Sequence, residues 1–251
     1  MADIAEEVPI ALVFNGVSHA VMLASPEDLE DFAIGFALSE GIVRHAGEVH
    51  DVEIASAARG ITVDLRISAA AFSALKAHRR NLAGRTGCGL CGTESLEHVF
   101  RGSPRVNESL TLDPAVLRRT LDALEGRQPR HAATGAMHAA AWAAPEGNVM
   151  LVREDVGRHN ALDKTIGAIV RANVDIERGF VLVTSRASSE IVHKAALVGI
   201  QLVAAISAPT SLAVEIAEQT GVTLVAFVRG SRYTTYAHAG RLREAEVAAV
   251  A

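Results

Sequence analysis

"FVLVTSRASSEIVHKAALVGIQLVAAI", residues 180–206, holds two short continuous apolar runs with a helix-forming stretch between them. This spacing predicts a strand over Phe180 to Thr184, a helix over Ser189 to Leu197 and a strand over Leu202 to Ile206. Strands without alternation, separated by helices, belong to a parallel sheet covered on both faces. The same alternation extends upstream through a strand at Val149 to Val152 and a helix at Asn160 to Ala172. Downstream it continues through a helix at Ser211 to Gln219 and a strand at Thr223 to Val228. In sheets of this kind ligands bind where strands end and helices begin.

Toward the N-terminus the pattern differs. Val8 to Leu23 reads as two strands joined at Asn15-Gly16, a dipeptide suited to the positive φ angles of a two-residue hairpin. Ser25-Pro26-Glu27-Asp28 offers a capping hydroxyl, a proline for the first helical position and early acids, ahead of Leu29, Phe32, Ala33 and Phe36 at helical spacing. Gly41 ends that helix. A second strand pair, Val49 to Ala55 and Ile61 to Ile67, precedes a helix through Ala69 to Leu82, and antiparallel connections are expected throughout. Further on, Asp113-Pro114 starts a helix that Gly126 stops, and "ATGAMHAAAWA", residues 133–143, reads as a buried small-residue helix. Arg101 to Pro114, polar and proline-containing, is a candidate crossing between lobes. The expected organisation is a strand-rich lobe over 1–105 and an α/β lobe over 106–251.

Composition narrows the function classes. The chain has 251 residues, 49% hydrophobic and 21% charged, with a formal net charge of -5. That balance gives no general attraction to nucleic acid or anionic membrane, so an anion site must be a local cluster. The opening "MADIAEEVPI" is acidic where a signal peptide is basic, and no apolar run reaches the ~20 residues of a membrane span. Cytoplasmic residence is the expectation. In a reducing compartment two cysteines spaced C-x-x-C read as catalytic, redox or metal-binding.

Both cysteines, Cys88 and Cys91, sit in "RTGCGLCGTES", residues 85–95. Gly87, Gly89 and Gly92 remove Cβ crowding around them, so this loop is expected to be mobile and open to a second macromolecule's sulfur. Arg85 before the pair and a helix beginning near Thr93 both favour a thiolate. A structural zinc site needs four ligands, and the histidines show no finger-like spacing. A thioredoxin-like dithiol would open a βαβ unit, whereas this pair follows a helix. A zinc deaminase needs H-x-E before P-C-x-x-C, but His138 precedes Ala139 and Ala140, and the cysteines come first. Two readings stay open on the residues alone: incidental thiols in a glycine loop, and a sulfur-handling nucleophile.

Six blocks in order then carry a resemblance: "VPIALVFNGVSHAVMLASPEDLEDFAIGFALSEGIV", "GRTGCGLCGTES", "TGAMHAAAW", "REDVGRHNALDKTIG", "TSRASSEIVHKAALVGI" and "SAPTSLAVEIAEQTGVTLVAFVRGSRYTTYAH". The chain resembles the formate dehydrogenase accessory sulfurtransferase family, FdhD, over nearly its whole length. The resemblance implies a cytidine-deaminase-like layered sheet with helices on both faces, plus a smaller strand-rich N-terminal lobe, without zinc chemistry or a structural metal. It implies a homodimer that takes persulfide sulfur from a cysteine desulfurase. That sulfur passes to the molybdenum or tungsten bis-guanine-dinucleotide cofactor before the cofactor enters formate dehydrogenase. Cys88 maps to the persulfide carrier and Cys91 to the accessory thiol. The cofactor-binding segment maps to Phe227, Val228, Arg229, Gly230, Ser231 and Arg232.

The residues of that segment support the mapping independently. "FVRGSR" lies at the end of a predicted strand, where Arg229 and Arg232 can grip phosphate and Gly230 and Ser231 can bring backbone N–H groups close. Two further turns fall at the same end. In "TSRASSE", Ser188 or Ser189 either holds a phosphate or caps a helix. In "REDVGRHNALDK", Arg153, Glu154, Asp155, Arg158 and His159 crowd a strand-to-helix turn, and His159 either orients the cofactor or caps its helix. His138 reads as a satisfied, buried histidine. From a different class stands the alternative of a non-catalytic chaperone that binds the cofactor and hands it to its enzyme.

Overall fold

The computed structural model describes residues 3–81 and 104–243. They form two sheets and seven α-helices. The hairpin at Asn15-Gly16 forms as its sequence requires: both residues have positive φ, 48° and 77°, between β1 (Val8–Phe14) and β2 (Val17–Ala24). With β3 (Val49–Ala57) and β4 (Gly60–Ile67) they make a four-stranded sheet in the order β2-β1-β4-β3. β1 and β4 run parallel, contrary to the antiparallel expectation. The intervening helix α1 (Leu29–Ser39) supplies the crossover that a parallel pair needs.

α1 starts differently from its sequence reading. The capping position is Asp28, in the left-handed conformation and without a side-chain cap, so Pro26 lies outside the helix. Ser25 is used elsewhere: its carbonyl accepts from Lys164 Nζ, and its N–H donates to Asp155. Those bonds tie the end of β2 to the larger sheet. α2 (Ala69–Asn81) follows β4.

The second sheet has six strands in the order β10-β9-β8-β7-β5-β6. Three of its central strands, β7 (Phe180–Val183), β8 (Leu202–Ala205) and β9 (Thr223–Arg229), are parallel and joined by α6 (Ser189–Leu197) and α7 (Ser211–Thr220). β5 (His138–Ala143), β6 (Val149–Asp155) and β10 (Arg232–Ala237) add antiparallel pairs, so the sheet is mixed rather than wholly parallel. "ATGAMHAAAWA" is thus no helix. It contributes the end of the short α4 (Pro129–Thr134), a turn at Gly135, and β5. β5 is paired on both edges and buried on both faces, and neither demand favours helix once the neighbouring strands are in place.

Alternation along β5 separates two cores. Ala140 and Trp142 join Val181, Val183 and Val203 beneath α5 (Arg158–Arg171), α6 and α7. Ala139, Ala141 and Ala143 face Val116, Leu117 and Leu124 of α3 (Ala115–Glu125) on the other side. The first core continues without a break through α1 into the inner face of the small sheet, at Ile10, Leu12, Phe14, Val63 and Leu65. α1 is therefore buried on nearly all sides, between that sheet and α5. Its crossing with α5 is set by two glycines: a Cβ built on Gly35 would overlap the Asp163 carbonyl oxygen, and one on Gly167 would overlap the Asp31 carbonyl oxygen. No helix among the described residues is long and apolar enough to cross a membrane.

Candidate functional site

Strand directions bring several sequence motifs to one edge of the larger sheet. β6, β7, β8 and β9 all end there and β5 begins there, because β5 is antiparallel to both β6 and β7. This rim collects His138 at the start of β5, and Arg158 and His159 at the start of α5. It also holds Arg186 in the β7–α6 connection and the turn between β9 and β10.

The β9–β10 turn is irregular in a specific way. Arg229 pairs with Arg232, but Ala226 pairs with Thr234, so β9 bulges across Phe227 and Val228. Phe227 has φ 54°, a region that bulky L-residues avoid, and its side chain stays 37% exposed while Val228 is buried. Strain of this kind costs on the order of 1–3 kcal/mol and gathers at binding sites. Gly230 follows with φ 57°, which only glycine adopts freely. Arg229, Ser231 and Arg232 are exposed.

Among the described residues, the guanidinium groups of Arg158, Arg186, Arg229 and Arg232 make no hydrogen bond or ion pair, and the Arg158 Nε is buried without a partner. Arginines elsewhere in the neighbourhood are committed. Arg153 and Arg171 both bind Asp31, Arg130 binds Glu27, and Arg119 donates to the Glu146 carbonyl. These four uncommitted guanidiniums are distributed along the strand ends of this edge, and each is available to an anionic oxygen.

Behind the rim lies a titratable pair. His159 Nε2 is 3.2 Å from Glu190 Oε2 and 3.3 Å from Ser188 Oγ. Burial, reinforced by Arg158, Lys194 and His138, pushes His159 down to about 3. Burial also raises Glu190 to about 7; Lys194 opposes the shift while Glu40 and Asp163 add to it. At neutral pH the imidazole is uncharged and the carboxyl is titrating, so the titratable proton of the pair sits on Glu190. His138 is lowered too, by burial and then by Arg158 and His131, against the pull of Asp155.

The family model described as FdhD/NarQ matches residues 5–243. The chain belongs to the FdhD/NarQ family. Two family members named "Sulfur carrier protein FdhD" show the extent of the similarity. One from Cupriavidus necator is 56% identical over 241 residues, 96% of this chain and 84% of that protein. One from Variovorax paradoxus is 55% identical over 239 residues, 95% of this chain and 86% of that protein. The fold matches the crystal structure of a Desulfotalea psychrophila protein described as a formate dehydrogenase accessory protein. The TM-score is 0.75 at 24% identity, covering 96% of this chain and 90% of that one.

Within this family member the described residues among those predicted for the site share one edge. Phe227 to Arg232 occupy the rim, and so do Arg158, His159 and Ser188. Cys88 and Cys91 lie outside the described residues. Ser188 takes the capping position of α6 but makes no side-chain cap; its hydroxyl faces His159 instead. His159 is the second residue of α5 and caps nothing. The rest of "REDVGRHNALDK" is structural. Arg153 binds Asp31, Glu154 accepts the first N–H groups of α4, and Asp155 pairs with buried Lys164 at 2.7 Å. Sequence reasoning missed Glu190, whose partner His159 is 31 positions away, and the end of α3 that flanks the β9–β10 turn. Neither carries a local signal, because each is brought to the rim only by packing. Among the described residues no group of three or more His, Cys, Asp or Glu is placed to hold a metal ion.

Proposed function

We propose that the chain is a cytoplasmic sulfurtransferase serving formate dehydrogenase. In this reading residues 1–105 form the lobe that carries the cysteines, and 106–251 the lobe that binds cofactor. The Cys88 thiolate attacks the outer sulfur of a cysteine desulfurase persulfide, forming Cys88 persulfide and releasing the desulfurase thiolate. Cys91 then attacks the inner sulfur of Cys88, giving a Cys88–Cys91 disulfide and hydrosulfide, and a cellular dithiol restores the pair. The molybdenum or tungsten bis-guanine-dinucleotide cofactor, as the substrate that receives sulfur, lies along Phe227 to Arg232 with its phosphates on Arg229 and Arg232. The protein acts as a homodimer.

The observation that carries this reading is the rim. A family member whose relatives are named sulfur carriers has four partnerless arginines and a strained, exposed aromatic gathered at the ligand-binding end of its sheet. The test is mass spectrometry after incubation with a desulfurase and cysteine. A sulfane adduct should appear on Cys88, persist in Cys91→Ala and vanish in Cys88→Ala; an undiminished adduct in Cys88→Ala overturns the assignment.

One feature favours a second reading, a cofactor chaperone without sulfur chemistry: the unpaired arginines among the described rim residues suit binding of an anionic cofactor by themselves. Under that reading Cys88→Ala still supports maturation of formate dehydrogenase and Arg229→Ala does not. Under the preferred reading both fail.

A further inference from the structure

Two side chains at the rim have no part in the sulfur relay described above: His159 at the start of α5 and Glu190 in the first turn of α6. They meet at 3.2 Å through His159 Nε2 and Glu190 Oε2, with side chains 23% and 18% exposed, sheltered without being sealed. Among the described residues Glu190 has no other hydrogen bond or ion pair. His159 has one more contact, Ser188 Oγ at the same Nε2, and its Nδ1 makes no hydrogen bond. Acids that serve the fold are anchored several times over. Asp163 is held by Ser39 and Lys194, and Asp155 by Lys164, Asn160 and two backbone N–H groups. Glu190 is held by a single imidazole.

That arrangement suits the movement of a proton. His159, lowered to about 3, holds a proton poorly by itself, whereas Glu190, raised to about 7, takes one readily at neutral pH. When Glu190 is a carboxylate it accepts from Nε2–H, which leaves the lone pair of the ring on Nδ1. A proton taken at Nδ1 is then matched by Nε2 giving its own to Glu190, and no imidazolium accumulates. The charged and titratable groups around the pair are Lys194 on α6, Glu40 from α1, Arg158 and Asp163 on α5, and His138 on β5.

Sulfur delivery gives such a pair a task. Hydrosulfide carries a proton, and sulfur binds a metal ion in deprotonated form, so attachment to the metal of the substrate releases that proton. Resting on the sulfurtransferase reading above, we infer that His159 and Glu190 accept the proton of the delivery step, His159 as general base and Glu190 as the store behind it. The S–H bond breaks and its electron pair stays on sulfur, while an N–H bond forms at Nδ1. The Nε2–H bond breaks, an O–H bond forms at Glu190 Oε2, and water later takes the proton. No electron changes hands.

The experiment uses full-length wild type and Glu190→Gln, each charged beforehand with radiolabelled persulfide and mixed with isolated molybdenum bis-guanine-dinucleotide cofactor. Ionisation of Cys91, Asp163 and His138 is common to both proteins, so the readout is the ratio of wild-type to variant transfer rates. That ratio should rise roughly tenfold from about pH 6 to about pH 8, following the carboxylate fraction of an acid that titrates near 7. A second readout needs no cofactor: nitrogen NMR of the His159 ring. In wild type the ring proton should move from Nδ1 to Nε2 as pH rises through about 7, and in Glu190→Gln the tautomer should stay fixed. A level rate ratio, or a wild-type ring whose tautomer ignores pH, overturns the inference and leaves the sulfurtransferase reading standing. Wild type that transfers no label at any pH overturns that reading and the proton relay with it.

Discussion

Where α1, α5 and α6 meet, charged side chains are buried and paired; at the strand-end rim four arginines are exposed or half-buried and left alone. Lys194, fully enclosed, contacts Asp163 at 2.9 Å, Glu40 at 2.7 Å and Ser39 at 2.9 Å. Burial alone would pull Lys194 down, but the two carboxylates outweigh it and its net direction is up. Asp163 is raised to about 6 by the same burial, against the pull of Lys194. By contrast, Arg158, Arg186, Arg229 and Arg232 have no partner among the described residues, and the backbone beside two of them is strained at Phe227. Around Lys194 the buried polar groups are satisfied within the fold, while the rim arginines are left for a ligand.

The largest expected effect is at the helix crossing. Gly35→Ala forces a methyl group into the Asp163 carbonyl, a backbone atom that cannot rotate away. Denaturant unfolding should show a loss of roughly 3 kcal/mol or more, as overpacking against backbone costs. Gly126→Ala, at a helix end with open space around it, should stay within about 0.5 kcal/mol. Equal effects at both positions would break the contrast between packed and open regions.

Comparable in size is the effect at the buried ion pair. Lys194→Met leaves Asp163 buried without its cation and should cost about 3–5 kcal/mol, because an unpaired buried charge is not compensated. Adding Asp163→Asn should recover part of that loss in a double-mutant cycle.

Smaller and pH-dependent is Glu190→Gln, which keeps a hydrogen-bonding group against His159. The folded Glu190 is raised to about 7 from an ordinary 4.5, so the folded state holds its proton more tightly than the unfolded state. Stability from this group is therefore present at low pH and lost as pH rises from about 4.5 through 7. Against the Gln variant, wild type should lose ground across that window and run parallel above it, by a few kcal/mol at most. His159, lowered to about 3, has the opposite sign: its contribution falls away as pH drops below 6.5. Because that term is common to both proteins, thermal melts from pH 5 to 8 on the pair isolate the carboxyl.

The smallest stability effect should be at the rim itself. Arg229→Ala and Arg232→Ala remove exposed, unpaired side chains, so unfolding midpoints should move by no more than about 0.5 kcal/mol. Nucleotide titration of the same proteins should show clear weakening. A destabilised Arg229→Ala would make it a structural residue.

Much of the architecture was legible along the chain. The strands and helices from Phe180 to Arg229 were readable because each apolar run is short, continuous and bounded by turn residues. The Asn15-Gly16 hairpin was readable because few dipeptides accept two positive φ angles. "ATGAMHAAAWA" was misread because a strand buried on both faces shows no period of two, and alanine's helix propensity then dominates. Of the site, Phe227 to Arg232 and the Arg158-His159 turn were legible as local clusters. Glu190 was not, since an acid on a helix surface looks the same in sequence whether it faces water or a distant histidine.

Sequence alone therefore determined what is local: the elements, the hairpin, the glycine-flanked cysteines and the arginine turn, together with the family that these blocks carry. Only the tertiary structure decided direction and commitment. Whether β1 and β4 run parallel, whether Ser25 caps a helix or binds Asp155, and which arginines stay unpaired all depend on long-range contacts. Such contacts are set by burial across the whole core, and no window of adjacent residues encodes them.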